Sequence, residues 1–276
     1  GLYREYVMIS INTNYGSLFA SKSASAAQKT MNTAMERLSS GLRINNAKDD
    51  AAGQGIAVRL SAELMGLEMA SRNASDAQSM IDTAESAHQE VHNMLLRMRE
   101  IAVQAANGTL SDADRTALDA EVTALEKEIS SIADNTTFAG VKLGTSVAVS
   151  FQIGANNGVT LDHTFKDFSV TQISANVDVA SSGSAGAAIS TINAAISTVS
   201  TRRGELGALS NRLSSTIANL DNIAVNLSAA RGRIQDTDFA QETSNLAKSQ
   251  IMQQAATAML AQANASKGNV LTLIRG

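Results

Sequence analysis

The chain has 276 residues, 44% of them hydrophobic but only 3% aromatic, with no Trp, no Pro and no Cys. The missing Cys rules out disulfides, thiolate metal centres and thiol nucleophiles, and a net charge of −4 supplies no basic patch for nucleic acid or acidic lipid. No apolar run approaches the roughly 20 residues of a membrane span, and an apolar set of Ala, Leu, Ile, Val and Met suits thin helix-on-helix seams.

Residues 1–7 (GLYREYV) share no pattern with the rest of the chain, so Met8 is the expected natural start and the preceding segment an extension. Within 8–43, Ala20, Ala24, Ala27, Met31, Ala34 and Leu38 step by four and three. That spacing marks one helical face, and its small residues expect close approach by another helix. Ser39-Ser40-Gly41 ends the helix, Gly41 being suited to the left-handed conformation beyond a helix end. Residues 42–55 form a polar connector. Its Asp49 and Asp50 precede Ala-rich helical sequence and read as caps. A divalent-cation site would need further ligands nearby.

A second helix is expected over 51–106, with Leu60, Leu67, Ala74, Ile81, His88, Leu95 and Ala102 at intervals of seven. Ala70, Ala77, Ala84, Val91 and Met98 form the companion series. After Asn107-Gly108, Ser111 and Asp114 resemble a capping box. The third helix, 111–134, carries Leu118, Val122, Leu125, Ile129 and Ile132 on one face. The period then changes to two: Val147, Val149, Phe151 and Ile153 alternate, Asn156-Asn157-Gly158 offers a turn, and Val159 and Leu161 resume. This pattern predicts a β-hairpin region over 138–175, with Phe138, Phe151, Phe165 and Phe168 expected to cap the helices as an apolar knot. Ser181 to Ser184 reads as a flexible link.

The fourth helix, 186–234, repeats Ile192, Val199, Leu206, Leu213, Leu220, Leu227 and Ile234 every seven residues. Ile196, Leu209, Ile217, Ile223 and Ala230 fill in three or four residues on. A strict heptad keeps one seam covered only by supercoiling around a partner, and 51–106 is the segment long enough to serve. The fold class is mainly α: a long antiparallel helical bundle or coiled-coil rod over 44–235, a small β-hairpin region, and paired N- and C-terminal helices. The last segment, 236–276, is apolar on several sides, through Leu246, Ile251, Met252, Ala255, Met259, Leu260, Val270 and Leu273. So wide an apolar surface requires a cover.

Chemistry is sparse. His88 and His92 stand at i and i+4 but lack the zinc-protease pattern, and His88 falls on a heptad seam. No nucleophile elbow, P-loop or dinucleotide fingerprint is present. The reading is no enzyme and no cofactor. Two sticky terminal helices on a self-contained bundle predict ends that order on assembly, and a non-closing head-to-tail contact makes an open helical filament.

The residues that carry a resemblance lie at both ends. They include Glu36-Arg37-Leu38-Ser39-Ser40-Gly41-Leu42-Arg43-Ile44-Asn45, Ala47-Lys48-Asp49-Asp50-Ala51-Ala52-Gly53 and Ala70-Ser71-Arg72-Asn73-Ala74. Towards the other end stand Asn226-Leu227-Ser228-Ala229-Ala230-Arg231, Asp238-Phe239-Ala240 and Leu260-Ala261-Gln262-Ala263-Asn264. From Met8 onward the chain resembles bacterial flagellin, in a short form without outer variable domains. The resemblance implies that the terminal helices form the inner tube of a filament and 44–235 the surrounding rod. It implies export through the flagellar type III channel to the extracellular filament. The implied partners are copies of the same chain, an export chaperone, and hook-junction and cap proteins. It also implies recognition by a Toll-like receptor through Leu95, Leu96, Arg97, Ile101, Gln104 and Glu121, with Leu96 standing where Gln is usual. A hook–filament junction protein, which shares the terminal helices, is the alternative.

Overall fold

The computed structural model describes residues 13–173 and 175–275, with side chains as far as residue 267. The expected extension 1–7 and start at Met8 fall outside the described residues, as do the side chains of Val270 and Leu273. The elements in order are α1 (Tyr15–Ser40), α2 (Ala51–Ala105), α3 (Asp112–Asn135), β1 (Thr137–Phe138), β2 (Val141–Lys142), β3 (Val147–Gln152), β4 (Thr160–Phe165), α4 (Ser182–Gln235) and α5 (Phe239–Arg275). They divide into two compact units, one of residues 62–227 and one of the described residues before and after it.

In the larger unit α2 and α4 run antiparallel, as their polar ties show. Ser71 donates to Asp221, Gln78 to Ser210, Arg203 to Glu85 and Arg99 to Asn193. Between these flanks lies the heptad seam. Leu67 and Ala70 meet Leu220, and Ala74, Ala77, Ile81 and Ala84 share a cluster with Leu206, Leu209 and Leu213. Val91, Leu95 and Met98 share another with Ile192, Val199 and Val122 and Ile129 of α3. The seam loosens toward the end of α4: Leu220 is buried, Leu227 only partly so, and Ile223 is exposed.

Three residues anchor the α2–α3 turn. Ser111 and Asp114 make a reciprocal capping box. The buried Arg115 donates to the carbonyls of Ala105, Asn107 and Leu110 at 2.8–2.9 Å, tying the last residue of α2 to the turn that follows it.

The hairpin of β3 and β4 runs from Val147 opposite Phe165 to Gln152 opposite Thr160. It does not cap the helices as a single knot. Phe165 and Leu161 pack into the cluster over Ala74–Ala84 and Leu206–Leu213, whereas Phe168 belongs to the cluster around α3. The run of alanines on α2 leaves room beside the helix pair, and the hairpin's inward face fills it. A smaller hairpin, β1 with β2, precedes it and turns at Ala139 and Gly140, both at positive φ. Just beyond, a Cβ on Gly144 would stand 1.8 Å from the carbonyl oxygen of Ala133, so no larger residue fits. The expected flexible link is instead a helix start, with Ser181 accepting from the Ser184 backbone N–H at 3.1 Å and α4 beginning at Ser182.

Residues 175–180 run alongside α3 without a strand partner. Side chains of α3 take that part: the Val177 N–H donates to Glu126 at 2.7 Å and the Val179 N–H to Asp119 at 3.0 Å. Burial raises the Glu126 carboxyl above its ordinary value, and the bond from Val177 opposes that rise.

Candidate assembly surface

The smaller unit is built on α1 and α5. Asn14 caps α1 by accepting from the Ser17 N–H, and Gly41 closes it at φ 74° with its N–H on the Arg37 carbonyl at 2.8 Å. Asp238 accepts from the N–H groups of Ala240 and Gln241 at the start of α5. The two helices pair antiparallel through a narrow seam. Ala20, Ala27 and Ala34 are buried on α1, and Glu242, Ser249 and Ala256 on α5. Both sets repeat every seven residues. Each buried methyl contributes about 0.8 kcal/mol, so the seam is weak for its length.

Polar ties cross it. Asn14 donates to the Ala263 carbonyl at 3.0 Å, Gln253 donates to Gln28, and Arg37 pairs with the buried carboxylate of Glu242 at 3.2 Å. Glu242 also accepts from Asn245 at 2.8 Å, so its charge is paired by Arg37 and both of its oxygens have a donor.

The expected assembly residues therefore separate into two groups. Ala20 and Ala27 are buried in the seam; Ala24, Met31, Leu38, Leu246 and Leu260 are half-buried. Ile251 (66% exposed), Met252 (49%), Ala255 and Met259 (59%) face outward. Phe19 (67% exposed), Tyr15 and Leu18 do the same on α1. Small side chains let the backbones approach, and the bulky apolar ones are left on the outside. Ser249, Glu242 and Ala256 carry the α5 seam, but as polar or minimal side chains they give no hydrophobic period to read.

Where α1 passes to α2, and α4 to α5, the two connectors clasp each other. Leu42 and Asp236 form an antiparallel bridge. The Arg43 N–H donates to Gln235 at 2.6 Å, its guanidinium donates to the Ile234 carbonyl at 2.7 Å, and the Thr237 N–H donates to Gly41. Ile44 is fully buried beneath. Asp50 accepts from the Gly53 N–H at 2.8 Å, the expected cap, while Asp49 accepts from Asn45 and Asn46 and shapes the loop. A Cβ on Gly53 would stand 2.5 Å from the Asp50 carboxylate and 2.7 Å from Ile44 Cδ1, so a larger residue would have to displace these side chains. Leu60 and Ile234, the outer members of the two heptad series, are half-buried in this unit.

In the larger unit, Arg97 of α2 donates twice to Glu121 of α3, at 2.8 and 3.0 Å, and once to Glu100. These bonds, those to Glu121 first, raise the guanidinium pKa further. Leu96 and Gln104 are exposed beside them, whereas Leu95 and Ile101 point into the core. The polar face is thus made of four of the six residues named for it, with the other two supporting it from below.

Among the described residues, no group of three or more His, Cys, Asp or Glu could hold a metal ion, and no helix is long and apolar enough to cross a membrane. Known proteins show the same organisation. Residues 11–144 match the model of the bacterial flagellin N-terminal helical region, and residues 189–274 that of the C-terminal helical region. A flagellin of Halalkalibacterium halodurans is 44% identical over 270 residues, covering 96% of this chain and 99% of that relative, so the relative is equally short. A crystal structure of Bacillus cereus flagellin aligns with TM-score 0.51 and 30% identity, over 58% of this chain and 94% of the other. A protein described as flagellar hook-associated, from Vibrio parahaemolyticus, aligns with TM-score 0.60 over 68% of this chain and all of its own, but at 17% identity that likeness extends to the fold alone. The sequence identity therefore favours the filament subunit over the junction protein. The chain belongs to the bacterial flagellin family: it is a structural subunit of the flagellar filament and not an enzyme.

Proposed function

We propose that the chain polymerises through the faces that α1 and α5 leave uncovered, with these two helices forming the inner tube of the filament and residues 44–235 the layer around it. The carrying observation is the outward placement of Tyr15, Leu18, Phe19, Ile251, Met252 and Met259 around a seam of small and polar residues, Ala20, Ala27 and Ala34 against Glu242, Ser249 and Ala256. Full burial of a side chain of this size contributes about 1.5–3 kcal/mol. A weakly paired couple of helices thus gains most of its stability from neighbouring copies. The filament so formed is extracellular and serves swimming motility. Export through the flagellar channel, an export chaperone on the C-terminal helix, and hook-junction and cap proteins at the two ends complete the reading.

The test is seeded polymerisation followed by electron microscopy. Ile251→Asp is expected to lower filament yield by at least about tenfold, because a carboxylate cannot be buried unpaired, while the larger unit melts as before. Normal filaments from that variant would show that this face is not the contact.

Recognition by a Toll-like receptor fits the face of Leu96, Arg97, Gln104 and Glu121. The Arg97–Glu121 pair presents a planar, doubly bonded ion pair on an exposed helix surface. In a receptor-reporter cell assay, Arg97→Ala should weaken the response by about tenfold, the cost of one charge-assisted contact. An equal response from both proteins would remove this face from the reading.

A further inference from the structure

Cysteine is absent from the chain but methionine is not: there are ten. Their placement is uneven. Met80 and Met98 lie in the core of the larger unit at 5% and 0% exposure, whereas Met252 and Met259 stand outside on α5 at 49% and 59%. Seven residues apart, Met252 and Met259 share one stripe of the helix, with the exposed Ala255 between them. They flank the Ser249–Ala256 seam without entering it. Met35, Met65 and Met69 are exposed on α1 and α2 as well, but Met252 and Met259 place two open thioethers on the apolar α5 face of the proposed polymerisation contact.

We propose that Met252 and Met259 are oxidation sites through which peroxides reversibly block incorporation of the subunit into the filament, and that incorporation shields them. This rests on the assembly face proposed above. In each event a sulfur lone pair attacks a peroxide oxygen and the O–O bond breaks. An S–O bond forms, the sulfur loses two electrons, and hydrogen peroxide is reduced to water. The product is a methionine sulfoxide, a polar and chiral group in place of a flexible apolar one. At an exposed helix position the sulfoxide is solvated and leaves α5 intact. At a contact that must become dry it imposes a desolvation cost. Susceptibility follows exposure, so the free subunit reacts and the buried Met80 and Met98 do not.

The experiment exposes the full chain to dilute hydrogen peroxide and maps added oxygen by peptide mass spectrometry. Seeded polymerisation and thermal melting are then measured on the same samples. Oxidation of Met252 and Met259 is expected to run at least about tenfold faster than that of Met80 and Met98, with the melt of the larger unit unchanged. Polymerisation should fall in step, and treatment with methionine sulfoxide reductases should restore it. The Met252→Leu/Met259→Leu variant, compared with its own untreated sample, should lose no polymerisation after peroxide. Met65→Leu/Met69→Leu, which removes two exposed methionines of α2, should give no such protection. Preformed filaments should oxidise slowly at both positions. Full polymerisation of doubly oxidised subunits would overturn the inference. If Ile251→Asp subunits also polymerise, the assembly face itself is wrong. If only the oxidised subunits do, the face stands and the oxidation gate does not.

Discussion

Leu213→Asp should abolish the cooperative thermal transition of residues 62–227. Leu213 is fully buried, in the cluster where α2, α4 and the hairpin meet. Removing such a leucine costs about 2–5 kcal/mol, and an unpaired carboxyl in its place adds several more. A domain of this size is stable by only about 5–15 kcal/mol, so the two together consume the margin. Differential scanning calorimetry reads the result directly. Leu213→Ala should retain a transition at reduced temperature. Val225→Asp, at a residue 68% exposed on the same helix, should stay within about 0.5 kcal/mol of the parent. A Leu213→Asp protein with an unchanged transition would mean that the heptad seam does not hold this unit together.

The second large effect is acid sensitivity through His88. This imidazole is buried on the α2 seam, its Nδ1 2.8 Å from the Ala84 carbonyl and its ring 4.4 Å from that of Phe168. Its Nε2 is buried without a partner. Burial is the main cause that lowers its pKa from the ordinary 6.5; Arg202 and Arg203 of α4 lower it further, while the Ala84 carbonyl and Glu85 oppose. His163 of the hairpin is lowered too, first by burial and then by Lys166, with Glu205 opposing.

Above pH 6.5 His88 is neutral in both folded and unfolded chains. As the pH falls through that value the unfolded chain takes up a proton and the folded one does not, until its own lower pKa is reached. Stability should therefore decline over that interval, with a slope of at most about 1.4 kcal/mol per pH unit from this group. Glu126, whose pKa is raised, contributes with the opposite sign: its share is present below 4.5 and lost as the pH rises through its folded value. Urea titrations of the parent and of His88→Leu, taken from about pH 7 to about pH 5, cancel that share by difference. The variant should lose less stability on acidification. Parallel pH profiles would show that His88 takes up its proton equally well in both states.

The parts of the fold legible in the sequence were those whose contacts are made by large aliphatic side chains at regular spacing. Leu206, Leu213 and Leu220 state the α4 seam outright, and Val147, Val149 and Phe151 state the strand. The α5 seam was not legible, because Glu242 and Ser249 occupy positions that a hydrophobic period would reserve for Leu or Ile. Burial there is made tolerable by partners far away in the chain, Arg37 above all. The extended run 175–180 was hidden for a similar reason: its hydrogen-bond partners are side chains of α3, not a second strand. Ser181 and Ser184 have the composition of a linker and the geometry of a cap, and only the backbone distinguishes the two. Of the assembly surface, the sequence showed which residues are apolar. It could not show that alanines would take the seam and leave Phe19 and Ile251 outside.

The pairing of α1 with α5 has one more consequence. On the α1 side, a ladder of alanines repeating every seven residues is nearly blind to translation, since sliding α1 by a heptad presents an alanine to each α5 position again. Packing alone would permit several alignments of almost equal energy, as on a vernier whose marks are all alike. The ties at Asn14, Gln28 and Arg37 break that degeneracy, because their partners Ala263, Gln253 and Glu242 cannot all be met after a shift. The polar residues count positions along the pair, and the apolar ones only hold it closed. An in-frame insertion of seven residues near the middle of α1 would spare the alanine contacts and still mismatch the two ends of the chain.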